Sequence, residues 1–275
     1  MNNASPPEQD ETLSDGRYIY CLVNVSEDTN PELATDGIDD NQISFITHED
    51  IGAVTHQCDQ LYDSEEATQI RQWLVTHQQV IDTVGSAFGT PLPFQFDVIL
   101  QGGEESVKQW IADNETQIRE ALDRFRGLWE YRAHVTWDRS TVESVVSAAD
   151  ERLAEIEAQR NKSGEGTQFL LDKRYEQRLE DLLHTRKTEL RDQLQTELRD
   201  VVNGMEQHAA EPSVQAIDQR SDEQKEWVAR IALLASSADE ESIGAKLDTI
   251  ASEPGVTVEF TGPWPPYSFT PEFSE

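Results

Sequence analysis

The chain has 275 residues, 36% of them hydrophobic, and carries 22 Lys and Arg against 54 Asp and Glu, for a formal charge of −32. That composition supports a buried core inside an anionic surface, which disfavours direct binding to nucleic-acid phosphates or to an anionic lipid surface. Two cysteines, Cys21 and Cys58, exclude a disulfide scaffold.

The acidity is spread along the whole chain, and only 6 of the basic residues are lysine. Such a surface repels itself in dilute buffer. At about 1 M salt the Debye length falls to ~3 Å and the repulsion fades. The composition therefore predicts a cytoplasm rich in salt, that of an extreme halophile. The opening stretch, residues 1–16, is polar and acidic and reads as a flexible tail, with neither the basic nor the apolar region of a signal peptide. A soluble, cytoplasmic protein is expected.

Arg17 to Val25 (RYIYCLVNV) reads as a first strand. Gln42 to Thr47 and Ile51 to Gln57 follow as a hairpin across His48-Glu49-Asp50. Ser64 is a candidate N-cap for a helix whose apolar face is Ile70, Trp73, Leu74, His77, Val80, Ile81 and Val84, with Gly85 and Gly89 at its end. A fourth strand is expected at Phe94 to Leu100, a second helix at Glu104 to Arg126, and a fifth strand at Trp129 to Trp137. This β-β-β-α-β-α-β order predicts a ferredoxin-like domain over 17–139, an antiparallel sheet with two helices on one face.

From Ser140 the pattern turns helical. Val142 to Arg160 reads as one helix, Asn161 to Thr167 as a break, and Gln168 to His208 as a long amphipathic helix packed on the first. Ser213 to Gln219 and Trp227 to Ser236 read as a strand pair, Asp239 to Ser252 as a helix, and Val256 to Phe260 as a last strand. Residues 140–275 thus form a second, helix-rich α+β domain with a small antiparallel sheet, joined to the first near Arg139 to Thr141.

Catalytic motifs are absent from the sequence. There is no GxxxxGK[ST], no strand followed by GxGxxG and no GxSxG. The six histidines form neither HxxxH nor HExxH, and no CxxC occurs, so no metal site is expected. His77 reads as a packed core residue, His48 and His56 as flanks of a hairpin that could approach each other, and both cysteines as buried, inert thiols. Acid pairs such as Glu65-Glu66 read as solvated surface. No catalytic residue and no cofactor is predicted. The least ordinary segment is TGPWPPYSF, where Pro263, Pro265 and Pro266 stiffen the backbone between Trp264, Tyr267 and Phe269. These six residues are the candidate site, either a clamp over the protein's own core or a strip that binds a partner.

GRYIYCLV at Gly16 to Val23, PLPFQFDVIL at Pro91 to Leu100, WVARIALLAS at Trp227 to Ser236 and VEFTGPWPPYSF at Val258 to Phe269 resemble the gas vesicle protein L/F family. The chain departs from that family's PLRFG pattern at Pro93 and Gln95, so no role for that arginine carries over. The resemblance implies a two-domain α+β accessory protein, without known catalytic residues or cofactor, associated with the gas vesicle. It also implies binding to the small hydrophobic shell protein and to other accessory proteins during vesicle nucleation. An open sheet edge in the first domain is the expected surface for such binding. The competing expectation is a small-ligand sensor built on ferredoxin-like domains, which requires a pocket with convergent polar groups.

Overall fold

Gly16–Asn24 forms strand β1, buried along nearly its whole length, so that layers of structure cover both of its faces. The computed structural model describes residues 14–25, 33, 35–207 and 225–273, and the statements below concern these. Contacts divide them into two units, residues 14–130 with 264–273 and residues 131–207 with 225–263. The chain changes unit after Glu130, inside a strand, whereas the sequence placed the junction at Arg139 to Thr141. It returns to the first unit at Trp264.

In the first unit β1 is followed by β2 (Ser44–His48), β3 (Ile51–Cys58), α1 (Ala67–Phe88), β4 (Leu92–Pro93), β5 (Ile99–Leu100), α2 (Gly103–Asp113) and α3 (Glu115–Phe125). The sheet order is β2-β3-β1-β4, with β5 also on β1, and these four pairings are antiparallel. This is the ferredoxin-like order. The first crossover helix of that fold is replaced, in the described residues, by a single 3-10 turn at Ile38–Asp40. Helix α1 packs on β1 through the expected stripe, with Leu74, His77, Val80, Ile81 and Val84 buried. Ser64 Oγ accepts from the Glu66 N–H, yet the helix starts at Ala67. Gly85 does not end the helix. It is buried inside it, where an added Cβ would lie 2.9 Å from the Trp129 ring, and Gly89 at φ +86° makes the stop. Helix α2 packs against β1 and β2.

Three expected elements of this unit differ. Of the expected strand Phe94 to Leu100 only Ile99–Leu100 is strand, as β5, because residues 95–97 bulge away from β1 between the bond of the Phe94 N–H to the Tyr20 carbonyl and that of the Ile19 N–H to the Val98 carbonyl. Asp97 at φ +66° turns that bulge. The helix Glu104 to Arg126 breaks at Asn114, whose amide donates to the Trp110 carbonyl and ends α2. The strand Trp129 to Trp137 leaves the first sheet for the second.

The second unit contains β6 (Leu128–Asp138), α4 (Arg139–Ala149), α5 (Glu151–Arg160), α6 (Glu165–Leu198), β7 (Gly204–Gln207), β8 (Lys225–Ser236), α7 (Glu240–Ala251) and β9 (Val256–Trp264). Its sheet order is β7-β8-β6-β9, so the connectivity is the full β-α-β-β-α-β pattern. The expected helix Val142 to Arg160 is two helices. Asp150 stands between them, its carboxylate accepting from the Leu153 N–H and pairing with Arg178 at 2.7 Å. Helix α6 packs on α4 and α5 as anticipated, burying Leu171, Leu183, Leu190, Leu194 and Leu198. It stops at Leu198, and Gly204–Gln207, read as helix, is strand. That strand pairs with β8, from Gly204 opposite Leu234 to Gln207 opposite Ile231. The expected partner of β8, Ser213 to Gln219, lies outside the described residues, as do the tail residues before Ser14. The chain is α+β with two antiparallel sheets, as its patterning predicted. None of its described helices is long and apolar enough to cross a membrane.

Candidate partner-binding edge and C-terminal strap

Tyr18 and Tyr20, two apart on β1, both enter the core of the first unit, and the slip of β1 against β3 between Ile19 and Cys21 adds Cys21 and Val23 to the same cluster. A buried tyrosine needs a partner for its hydroxyl, and each finds a histidine. His77 Nε2 lies 3.2 Å from the Phe94 carbonyl and must carry the proton, so Nδ1 accepts from the Tyr18 hydroxyl at 2.8 Å. The Tyr18 oxygen in turn accepts from the Asp97 N–H. The Tyr20 oxygen accepts from the Ile38 N–H and donates to His56 Nδ1 at 2.8 Å, which leaves His56 Nε2–H to donate to Tyr62 at 2.7 Å. The Asp97 carboxylate accepts from the Tyr62 N–H. The network therefore pins the turn at Ile38, the segment after β3 and the bulge between β4 and β5 to one buried cluster. Burial lowers both imidazoles to a pKa of about 4 and raises all three phenols. Sequence reading placed His77 in the core but missed its partners. The available signal was Tyr-x-Tyr on an interior strand with a histidine at each facing element.

The cysteines fall as expected. Cys21 and Cys58 are buried and free, and burial raises both thiols, Cys58 to about 11. His48 and His56 do not meet, since His56 faces the core. His48 lies instead with Glu49 and Glu115. Arg119 neutralises that corner through bonds to Glu49, Asp50 and Glu115 at 2.5–2.8 Å.

The six residues singled out in the C-terminal segment have different fates. Pro263 is exposed and Trp264 half-buried, whereas Pro265, Pro266, Tyr267 and Phe269 are buried. Tyr267 joins the Tyr–His core cluster and donates to Gln78 on α1 at 3.0 Å. Ser268, next to it, donates from its N–H and its hydroxyl to Glu130, a carboxylate with 0% exposure. The sequence reading overlooked Glu130, although a charged residue within the apolar run WEYRAHVTW marked it. Beyond this strap, Phe273 stacks on Phe94 and meets Trp110 edge-on. Residues 270–273 thereby wall a groove of about 490 Å³ beside β4 and β5, lined by Ile19, Pro93, Phe94, Trp110 and Tyr267. The other border of the sheet is β2, its outermost strand, with Thr47 exposed.

The family model for the gas vesicle synthesis protein GvpL/GvpF matches residues 16–271. Gas vesicle protein L1 of Halobacterium salinarum is 41% identical over 267 residues, covering 97% of this chain and 94% of that protein. Gas vesicle protein L of Haloferax mediterranei is 37% identical over 298 residues, covering 98% and 91%. The acidic, lysine-poor composition fits these haloarchaeal relatives. In fold, the chain is similar to the crystal structure of the gas vesicle protein GvpF from Anabaena sp. PCC7120, with a TM-score of 0.74 at 18% identity over 95% of this chain and all of the other. The GvpF structure from Microcystis aeruginosa gives 0.67 at 17% identity. With a family match from the first strand to the strap and close relatives over nearly its whole length, the chain belongs to the GvpL/GvpF family of gas vesicle synthesis proteins.

Proposed function

We propose that this protein is an accessory factor of gas vesicle assembly in the cytoplasm, binding the small hydrophobic shell protein and other accessory proteins while a vesicle nucleates. It acts by contact rather than by transforming a molecule. The family match over residues 16–271 carries the reading. The fold offers a physical route. A subunit with a water-repelling face must be kept apart from its like until it joins a wall, and an exposed sheet border can hold it by strand pairing. The strap and groove lie beside one border of the first sheet, and β2 forms the other. The surface charge of −32 would keep a loaded complex dispersed. The buried strap, from Pro265 to Phe269, serves in this reading as a clamp on the first unit, with the exposed Pro263 and half-buried Trp264 as its accessible end.

In a hairpin with a two-residue turn the bonded pairs alternate from His48–Ile51, so the Thr47 N–H points away from β3. Thr47→Pro removes that outward donor without breaking a ladder bond. The full-length variant is expected to fold normally and to lose co-purification of the shell protein in molar salt. Retained binding by the variant removes the strand-pairing route. Normal refractile vesicles in cells lacking the gene remove the assembly role itself.

A further inference from the structure

The most exposed large apolar side chains among the described residues are neighbours in sequence. Phe169 is 62% exposed and Leu170 61%. They sit in the first turns of α6, just after the turn that joins it to α5. Gly164 in that turn and Gly166 in the first turn of α6 have open space around them. The same stretch, residues 160–174, carries four basic residues (Arg160, Lys162, Lys173, Arg174) against two acidic ones in a chain whose net charge is −32. Arg160 is paired with Asp172, while Lys173 Nζ lies 5.8 Å from the centre of the Phe169 ring. An exposed apolar pair within a locally basic stretch, on an otherwise anionic molecule, marks an interaction surface.

Its complement is present in the same polypeptide. The groove of the first unit holds about 490 Å³, within the ~300–1,000 Å³ typical of binding pockets. Its walls are aromatic, from Phe94, Trp110, Tyr267 and Phe273, and Glu272 supplies a carboxylate. We propose that the α5–α6 tip of one molecule inserts Phe169 and Leu170 into the aromatic groove of a second copy, with the basic residues of the tip meeting Glu272 of that groove on a molecule whose net charge is −32. Because tip and groove are different surfaces, the contact is head-to-tail and leaves a free tip at one end and a free groove at the other. Salt strengthens it, since screening removes the repulsion between two strongly anionic molecules while apolar burial persists.

The test is sedimentation of the purified full-length protein in about 3 M KCl, from about 10 µM to about 1 mM, the range suited to so small a contact. The mean mass is expected to rise with concentration. Phe169→Asp with Leu170→Asp, both at exposed positions, and separately Phe273→Glu in the groove, should each weaken association at least tenfold with an unchanged circular dichroism spectrum. Mixing the tip variant with the groove variant should restore a dimer and nothing larger, because each retains one working surface. A wild-type chain that stays monomeric throughout overturns the proposal. So does a tip variant that associates like the wild type, or a mixture that stays monomeric.

Discussion

The two units of this protein share a strand order and solve its packing problem differently. Each sheet runs in the order second, third, first, fourth strand, counted within its unit. In the second unit the first crossover is helical and long, and the helices bury aliphatic side chains, Leu183, Leu190, Leu194, Leu198, Ile243, Leu247 and Ile250, at no more than 4% exposure, while β6 buries Tyr131, Arg132 and Trp137. In the first unit the described part of that crossover is irregular, and hydroxyls and imidazoles share the core with aliphatic side chains. The difference follows from what has to be held. Helices satisfy their own backbone, whereas the turn at Ile38 and the bulge at Asp97 expose N–H groups that something must bond. Tyr20 and Tyr18 supply those acceptors. A polar core is how an irregular sheet border is kept in one shape.

Breaking each core in its own currency sharpens the contrast. Leu194→Ala empties a fully buried site and is expected to cost ~2–5 kcal/mol in denaturant unfolding. Tyr18→Phe removes no volume to speak of but strands the Asp97 N–H and His77 Nδ1. The expected cost is ~1–3 kcal/mol, and its double-mutant cycle with His77→Leu should show strong coupling, whereas a cycle with Leu194→Ala should be additive. Additivity between Tyr18 and His77 would show that the network is not a unit.

The pH dependence also separates the units. His56 and His77 have pKa values of about 4 in the folded protein, below the ~6.5 of the unfolded chain. The unfolded state therefore binds more protons between these values. The stability they confer is complete above about pH 6.5 and is lost as pH falls toward 4, by up to ~1.4 kcal/mol per pH unit for each histidine. Replacing His56 by Gln should flatten that slope. A slope unchanged by substitution at both histidines would assign the acid sensitivity to the carboxylates instead.

Legibility in the sequence tracked the range of the forces involved. Strand β1, the stripe on α1 and the stripe on α6 were readable because burial repeats at the period of the element. The breaks at Asn114 and Asp150 were not, since both residues are compatible with a helix until a side-chain bond to Trp110 or the pairing with Arg178 ends it. Strand β6 was found but placed in the wrong sheet, because periodicity marks a strand without naming its neighbours. Glu130 and the Tyr–His pairs are long-range choices, visible in sequence only as polar letters in apolar runs. The strap was conspicuous for its prolines and aromatics, yet its destination, from Tyr267 to Gln78 and from Ser268 to Glu130, required the fold.

The return of the chain at Trp264 has a consequence for how the molecule comes into being. The amino-terminal unit begins folding first during synthesis, but Tyr267 and the groove wall at Phe273, which complete it, follow the whole of the second unit in the chain. Until the second unit has been made, Glu130 lacks Ser268 and the aromatic groove lacks a side. Completion of the earlier-made unit thus waits for the later one, so a chain halted within the second unit would leave the first without its strap.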